Sequence, residues 1–156
     1  METPERRAPL ERPDHGCFGC GALNPCGLHL VFERGDEGVR ARFTPRPQDE
    51  GFFGVVHGGI VTTMLDEAMA WAAFGQGLWA VTGKLDVRFR KPVEVGVEVI
   101  LSGRVVANRG RLVDAAGQIR RASDGAILAE ATGLFVRVPE SQAREWEPRY
   151  LVAPND

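Results

Sequence analysis

Residues 59–75, GIVTTMLDEAMAWAAFG, constrain this chain more than any other stretch. Val61, Leu65, Ala68 and Ala72 recur at helical spacing, while Ile60, Met64 and Trp71 widen the apolar surface. A helix apolar around most of its circumference has to be covered on most sides. Gly75 and Gly77 supply its stop signal.

The remainder of the chain offers strands as that cover. LHLVFER (28–34) and VRARF (39–43) alternate apolar with polar residues, and glycine and charges at 35–38 fit a hairpin between them. The proline- and glycine-rich loop TPRPQDEGFFG (44–54) leads into the helix. KLDVRFR (84–90) alternates strictly, and Val93, Val95, Val97 and Val99 open a strand running to about Ala107. Asn108-Arg109-Gly110 and Ser123-Asp124-Gly125 are turn signals that delimit strands at 111–122 and 126–138. The expected fold class is therefore α+β: one antiparallel β-sheet curled around one long central α-helix.

The chain's 156 residues suffice for one domain with its own core. Residues 1–14 read as a flexible N-terminal arm, 15–138 as the domain, and 139–156 as a polar C-terminal tail with three prolines. A formal net charge of −2 provides no basic field for nucleic acid or an anionic membrane surface. The longest charge-poor stretch, 58–83, carries Asp66 and Glu67 at its middle, which argues against a membrane span. The charged, proline-rich first fourteen residues lack the apolar core of a secretory signal. Three clustered cysteines do not form an even-numbered disulfide framework, so a cytoplasmic location is expected.

Asp66 and Glu67 are the only charges in the helix, and a buried carboxylate must be paired, hydrogen-bonded or used. Adjacent helical residues point about 100° apart, so the two acids cannot share a role. One is expected to face a cleft or subunit interface, and the other solvent or a salt bridge. Upstream, His57-Gly58-Gly59 opens the helix, where Gly58 and Gly59 let a ligand approach the backbone. The free N–H groups and positive dipole end of a first turn suit a developing oxyanion. Nine residues separate His57 from Asp66, about 13–14 Å of helical rise. A carboxylate meeting a helix-start donor therefore requires a second subunit.

GVVHGGIVTTMLDEAM (54–69) resembles the hotdog-fold acyl-CoA thioesterases of the PaaI type, within the 4-hydroxybenzoyl-CoA thioesterase-like superfamily. AVTGKLDVRFRKPV (80–93) is similar to that family's strand after the helix, and CFGCGALNPCGLHL (17–30) to the opening of one branch. The resemblance implies a hotdog fold and hydrolysis of an acyl-CoA to free coenzyme A and a carboxylic acid, without metal or organic cofactor. It implies that Asp66 is the catalytic carboxylate, as nucleophile or as base toward water. The Gly58 N–H would polarise the thioester carbonyl, His57 would shape that pocket, and Thr82 would orient the water or the carboxylate. The active site would lie across the interface of a homodimer, or of a homotetramer built as a dimer of dimers. Where many relatives carry an asparagine six residues before the histidine, this chain has Gly51, and Gln48 could reach the site from the same loop.

Other readings compete at particular residues. Arg88, Arg90 and Lys91 offer cations for the phosphates of coenzyme A, but alternation favours reading them as a solvated strand face. Trp71, Phe74 and Trp79 suit either an acyl pocket or the core. Cys17-x2-Cys20 is a recurrent zinc half-site, but a second Cys-x2-Cys is missing and Cys26-x2-His29 is a loose substitute. The segment is therefore read as the lead-in to the first strand, with Asn24-Pro25 as turn chemistry. Rival functions are a non-catalytic acyl-CoA-binding or sensing protein and a hotdog hydratase or dehydratase. The hydratase's usual histidine motifs are not visible.

Overall fold

The computed structural model describes residues 14–151. The expected N-terminal arm and the last five residues lie outside them, apart from Asp14. In chain order the elements are β1 (Glu33–Arg34), β2 (Val39–Phe43), a 3-10 turn (Pro47–Asp49), α1 (Gly58–Phe74), β3 (Ala80–Phe89), β4 (Val99–Arg109), β5 (Leu112–Arg121), β6 (Ile127–Arg137) and α2 (Glu140–Tyr150). The strands form one sheet in the order β1-β2-β4-β5-β6-β3, with every pair antiparallel. The α+β architecture expected from the periodicity is the observed one.

α1 lies across the sheet and buries Val61, Met64, Leu65, Ala68, Met69, Trp71, Ala72 and Ala73. These meet Val99 and Leu101 of β4, Val113, Ala115 and Ile119 of β5, and Leu128, Ala129 and Phe135 of β6. Truncating a fully buried residue such as Leu65 to alanine would cost about 2–5 kcal/mol. Helix and sheet approach closely because Gly103 of β4 pairs with Gly117 of β5 beneath α1. A Cβ at Gly103 would stand 2.0 Å from the Ala68 carbonyl oxygen, so only glycine fits there.

Three segments depart from the sequence reading, each for a traceable reason. Leu28, Leu30 and Phe32 are buried in alternation, as expected, but only Glu33–Arg34 joins the sheet. The Leu28 and Leu30 amides instead donate to the Phe18 and Gly19 carbonyls, and His29 turns the chain at φ 53°. The strand expected from Val93 begins at Val99, because Val93 and Val95 bond the loop before α1 (Val56 N–H to Val93 O, 2.8 Å; Val95 N–H to Gly54 O, 3.0 Å). Within the expected polar tail, residues 140–150 form α2, entered through Pro139 and containing Pro148. None of its residues is fully buried, but Trp146 and Tyr150 cover Trp79 at ring separations of 6.4 and 6.2 Å.

Candidate active site

The start of α1 is organised by His57. Its Nδ1 accepts the Gly59 N–H at 2.9 Å, while its carbonyl accepts the Ile60 and Val61 amides. These bonds leave the Gly58 N–H as the first-turn donor without an acceptor among the described residues. Gly58 is exposed, and it shares with His57, Val61, Phe89, Arg90 and Lys91 an open groove of about 910 Å³.

His57 is held from behind by a pair that the sequence reading did not single out. Its N–H donates to the Asp49 carbonyl at 2.9 Å. The buried Asp49 carboxylate accepts from Arg46 through Nε (3.1 Å), Nη2 (2.9 Å) and the backbone N–H (2.8 Å). Arg46 also reaches the Gly27 carbonyl, tying the loop to the N-terminal segment. Burial pushes the Asp49 carboxyl up, but the Arg46 hydrogen bonds and charge outweigh it and hold the group below its ordinary range. The spacing Arg-x-x-Asp in a proline-rich turn was the only available signal.

Asp66 sits at the middle of α1, facing the sheet's edge strand. Thr82 on β3 donates its hydroxyl to Asp66 Oδ1 at 2.6 Å, at a bulge between Thr82 and Lys84. Burial pushes the Asp66 carboxyl up; the Thr82 hydrogen bond opposes this and the nearby Cys17 adds to it. Two of the expected groupings therefore form, His57 with Gly58 and Gly59, and Asp66 with Thr82. Within one chain they remain about 13 Å apart along α1.

The expected substrate-binding residues divide. Arg90 and Lys91 line the groove with Gly58, although Arg90 is ion-paired to Glu130 at 2.9 Å. Arg88 lies in a different cleft with Asp86, Arg104 and Gln118. Gln48 is exposed on the 3-10 turn and does not line the groove. At Gly51 a Cβ would stand 3.0 Å from His57 Cα, so a side chain there would require the loop to move.

Glu67 corrects the sequence reading, which sent it to solvent or a salt bridge. It turns beneath the loop at 15–27, where its Oε1 is in hydrogen-bond contact with Cys17 Sγ at 3.4 Å. Burial and then the neighbouring Cys17 raise the Glu67 carboxyl to about 8. The Cys17 thiol is lowered to about 5, chiefly by a side-chain hydrogen bond from Cys20 and despite burial. Asn24 plays the expected turn role, accepting the Cys26 N–H at 3.0 Å and donating to the Gly16 carbonyl at 3.2 Å.

This geometry has counterparts. A family model described as "Thioesterase superfamily" matches residues 53–127, the stretch that carries the helix start, Asp66 and Thr82. Acyl-coenzyme A thioesterase THEM4 of Xenopus laevis is 30% identical over 109 residues, covering 70% of this chain and 49% of that protein. A crystal structure of a thioesterase superfamily protein superposes with a TM-score of 0.71 at 30% identity, covering 81% of this chain and 63% of the other. The Escherichia coli PaaI protein, from an operon of phenylacetic acid degradation, superposes with a TM-score of 0.65 at 23% identity, covering 70% and 84%. With its antiparallel sheet wrapped on α1, the chain has the hotdog fold, and it is similar to proteins of the thioesterase superfamily. It spans about half the length of the curated THEM4 relative.

Proposed function

We propose that this protein is an acyl-CoA thioesterase whose active site is built from two copies of the chain. The 2.6 Å hydrogen bond between Thr82 and Asp66 carries this reading. It fixes a partly desolvated carboxylate at the sheet edge, in a chain similar to proteins named acyl-CoA thioesterases. His57 and Gly58 of the second copy would complete the site.

The edge strand supports that assembly. β3 pairs only with β6 among the described residues, and it exposes Val81 and Phe89. A long apolar edge is a liability unless covered, and a second β3 would cover it. The two copies would form a homodimer able to pair further into a tetramer.

In the reaction, the Gly58 N–H and the α1 dipole would polarise the thioester carbonyl and hold the oxyanion that forms. Asp66 would attack the carbonyl carbon itself or take a proton from the attacking water, with Thr82 fixing its orientation. Collapse of the tetrahedral intermediate breaks the C–S bond and expels coenzyme A as the thiolate, which is then protonated. The second product is the carboxylic acid, formed directly when water attacks, or after a water hydrolyses the mixed anhydride left on Asp66 when Asp66 itself attacks. Lys91, beside Gly58 on the groove rim, is the freer cation for a phosphate, because Arg90 is engaged by Glu130. The three cysteines, with no disulfide among the described residues, fit a reducing cytoplasm.

Thiol release across a panel of aliphatic and aromatic acyl-CoA esters tests the proposal. Turnover with at least one class is expected. Tight binding with no product across the panel would replace it with the acyl-CoA sensor, a reading favoured by the missing polar side chain at Gly51.

A further inference from the structure

The loop at 15–27 does more than lead into the sheet. Cys17 Sγ, Cys20 Sγ and a Glu67 carboxylate oxygen all lie within 4.8 Å of one another. These residues come from segments some fifty positions apart, and the fold is tightened to let them meet. A Cβ at Gly19 would stand 2.2 Å from the Glu67 carboxyl carbon, and one at Gly21 would stand 2.3 Å from the His15 carbonyl oxygen. Gly21 meets backbone and admits no Cβ, whereas a Cβ at Gly19 would displace the Glu67 side chain from the Cys-x-x-Cys turn.

We propose that Cys17, Cys20 and Glu67 bind a thiophilic divalent cation, with Zn²⁺ as the best match. Two sulfurs and a carboxylate oxygen are established zinc donors. A tetrahedral ion with Zn–S of about 2.3 Å and Zn–O of about 2.0 Å places a sulfur and an oxygen ligand about 3.5 Å apart. Cys17 Sγ and Glu67 Oε1 stand 3.4 Å apart. One of the two ligands missing from the zinc motif is thus supplied by the helix. The sequence candidates Cys26 and His29 are engaged elsewhere: Cys26 is exposed, and His29 Nε2 contacts the Asn24 carbonyl at 2.6 Å.

The ion also accounts for Glu67. Among the described residues no cation pairs with it, yet it is turned inward against two thiols. A half-buried carboxylate turned against a thiol pair is costly to ionise, and a divalent cation there would supply the counter-charge. Three protein ligands leave a fourth position open. Cys17, Cys20 and Glu67 border a cavity of about 240 Å³ walled by Trp71, Phe74 and Trp79, from which water or another small donor would complete the shell. The bound ion would pin the N-terminal loop to α1 one residue past Asp66.

Titration of the reduced full-length protein with Co²⁺ reads the site directly. One equivalent should give thiolate-to-cobalt charge-transfer absorption with tetrahedral d–d bands, and Zn²⁺ should displace it. Cys17→Ser and Cys20→Ser should each weaken binding at least about a hundredfold, beyond the loss usual for groups that only hydrogen-bond a metal ligand. Glu67→Gln should weaken it, and Cys26→Ser should leave it unchanged. A second measurement needs no variant: Zn²⁺ should protect Cys17 and Cys20, but not Cys26, from alkylation followed by peptide mass. Absence of the charge-transfer band with thiols reduced would overturn the site. So would equal alkylation rates with and without Zn²⁺, or a loss of binding confined to Cys26→Ser.

Discussion

Asp66 and Glu67 are neighbours in sequence, yet α1 sends them into two different chemical settings. Asp66 meets a hydroxyl on an exposed edge strand, the place where the proposed assembly would bring the oxyanion donor of a second copy. Glu67 meets two thiols of the loop at 15–27, beside a cavity that Trp79 and Ala80 also border. Burial raises both carboxyls, so a shifted proton affinity does not separate the two roles. The partner does: Asp66 accepts from a rotatable hydroxyl, whereas Glu67 faces a pair of thiols.

The largest expected effect tests that separation. Asp66→Asn should lower kcat for thiol release by about a thousandfold or more, within the range of a lost acid–base group. Glu67→Gln should stay within about tenfold of the parent. Equal losses would collapse the distinction between the two acids.

Next comes the helix start. Gly58 occupies the first helical position, where proline is tolerated and its missing N–H breaks no helical bond. His57 already has the extended ψ of 134° that a following proline favours. Gly58→Pro should therefore keep the fold by circular dichroism and lower kcat by about 10²–10³, the usual cost of one oxyanion donor. Full activity would remove the Gly58 N–H from the mechanism.

A smaller effect is expected at Thr82. Thr82→Val should reduce kcat by about tenfold to a hundredfold, matching one hydrogen bond to a charged group, and Thr82→Ser should restore most of it. If serine and valine behave alike, Thr82 acts through packing and not through its hydroxyl.

The smallest effect concerns the support behind His57. Asp49 has its carboxyl depressed in the folded state, so its contribution to stability is complete above the ordinary value of 3.8. That contribution disappears as pH falls through the lower native value. Denaturant unfolding at several pH values should show this acid-side loss in the parent and a flatter curve in Asp49→Asn. Parallel curves would mean that Arg46 does not stabilise the carboxylate.

The sequence conveyed the fold where one period dominated. The helical run at 59–75 and the turn signals at Asn108-Gly110 and Ser123-Gly125 appear as α1 and as the bends between β4, β5 and β6. It was less legible where alternation was real but the backbone partner was not the sheet. Leu28, Leu30 and Phe32 bury like strand residues while their segment bonds the cysteine loop. α2 was hidden because its apolar contacts come from two aromatics, Trp146 and Tyr150, in an otherwise polar stretch. At the site, Asp66, Thr82 and the helix start could be read from spacing and resemblance. The meeting of Glu67 with Cys17 could not, since contacts across fifty residues leave no periodic trace.

The glycine pair under α1 has a consequence for how this protein tolerates change. With the Gly103 α-carbon set directly against the Ala68 carbonyl, the helix has no slack toward the sheet. One added methyl group at position 103 would have to lift α1 by about 1 Å to reach even the tightest observed contact distance of 3.0 Å. Asp66 rides two residues away on the same rigid rod. A hydrogen bond of 2.6 Å to Thr82 does not survive such a displacement. The sheet face under α1 thus acts as a reference plane for the rim, and a substitution at Gly103 would break the Asp66–Thr82 bond without altering either side chain.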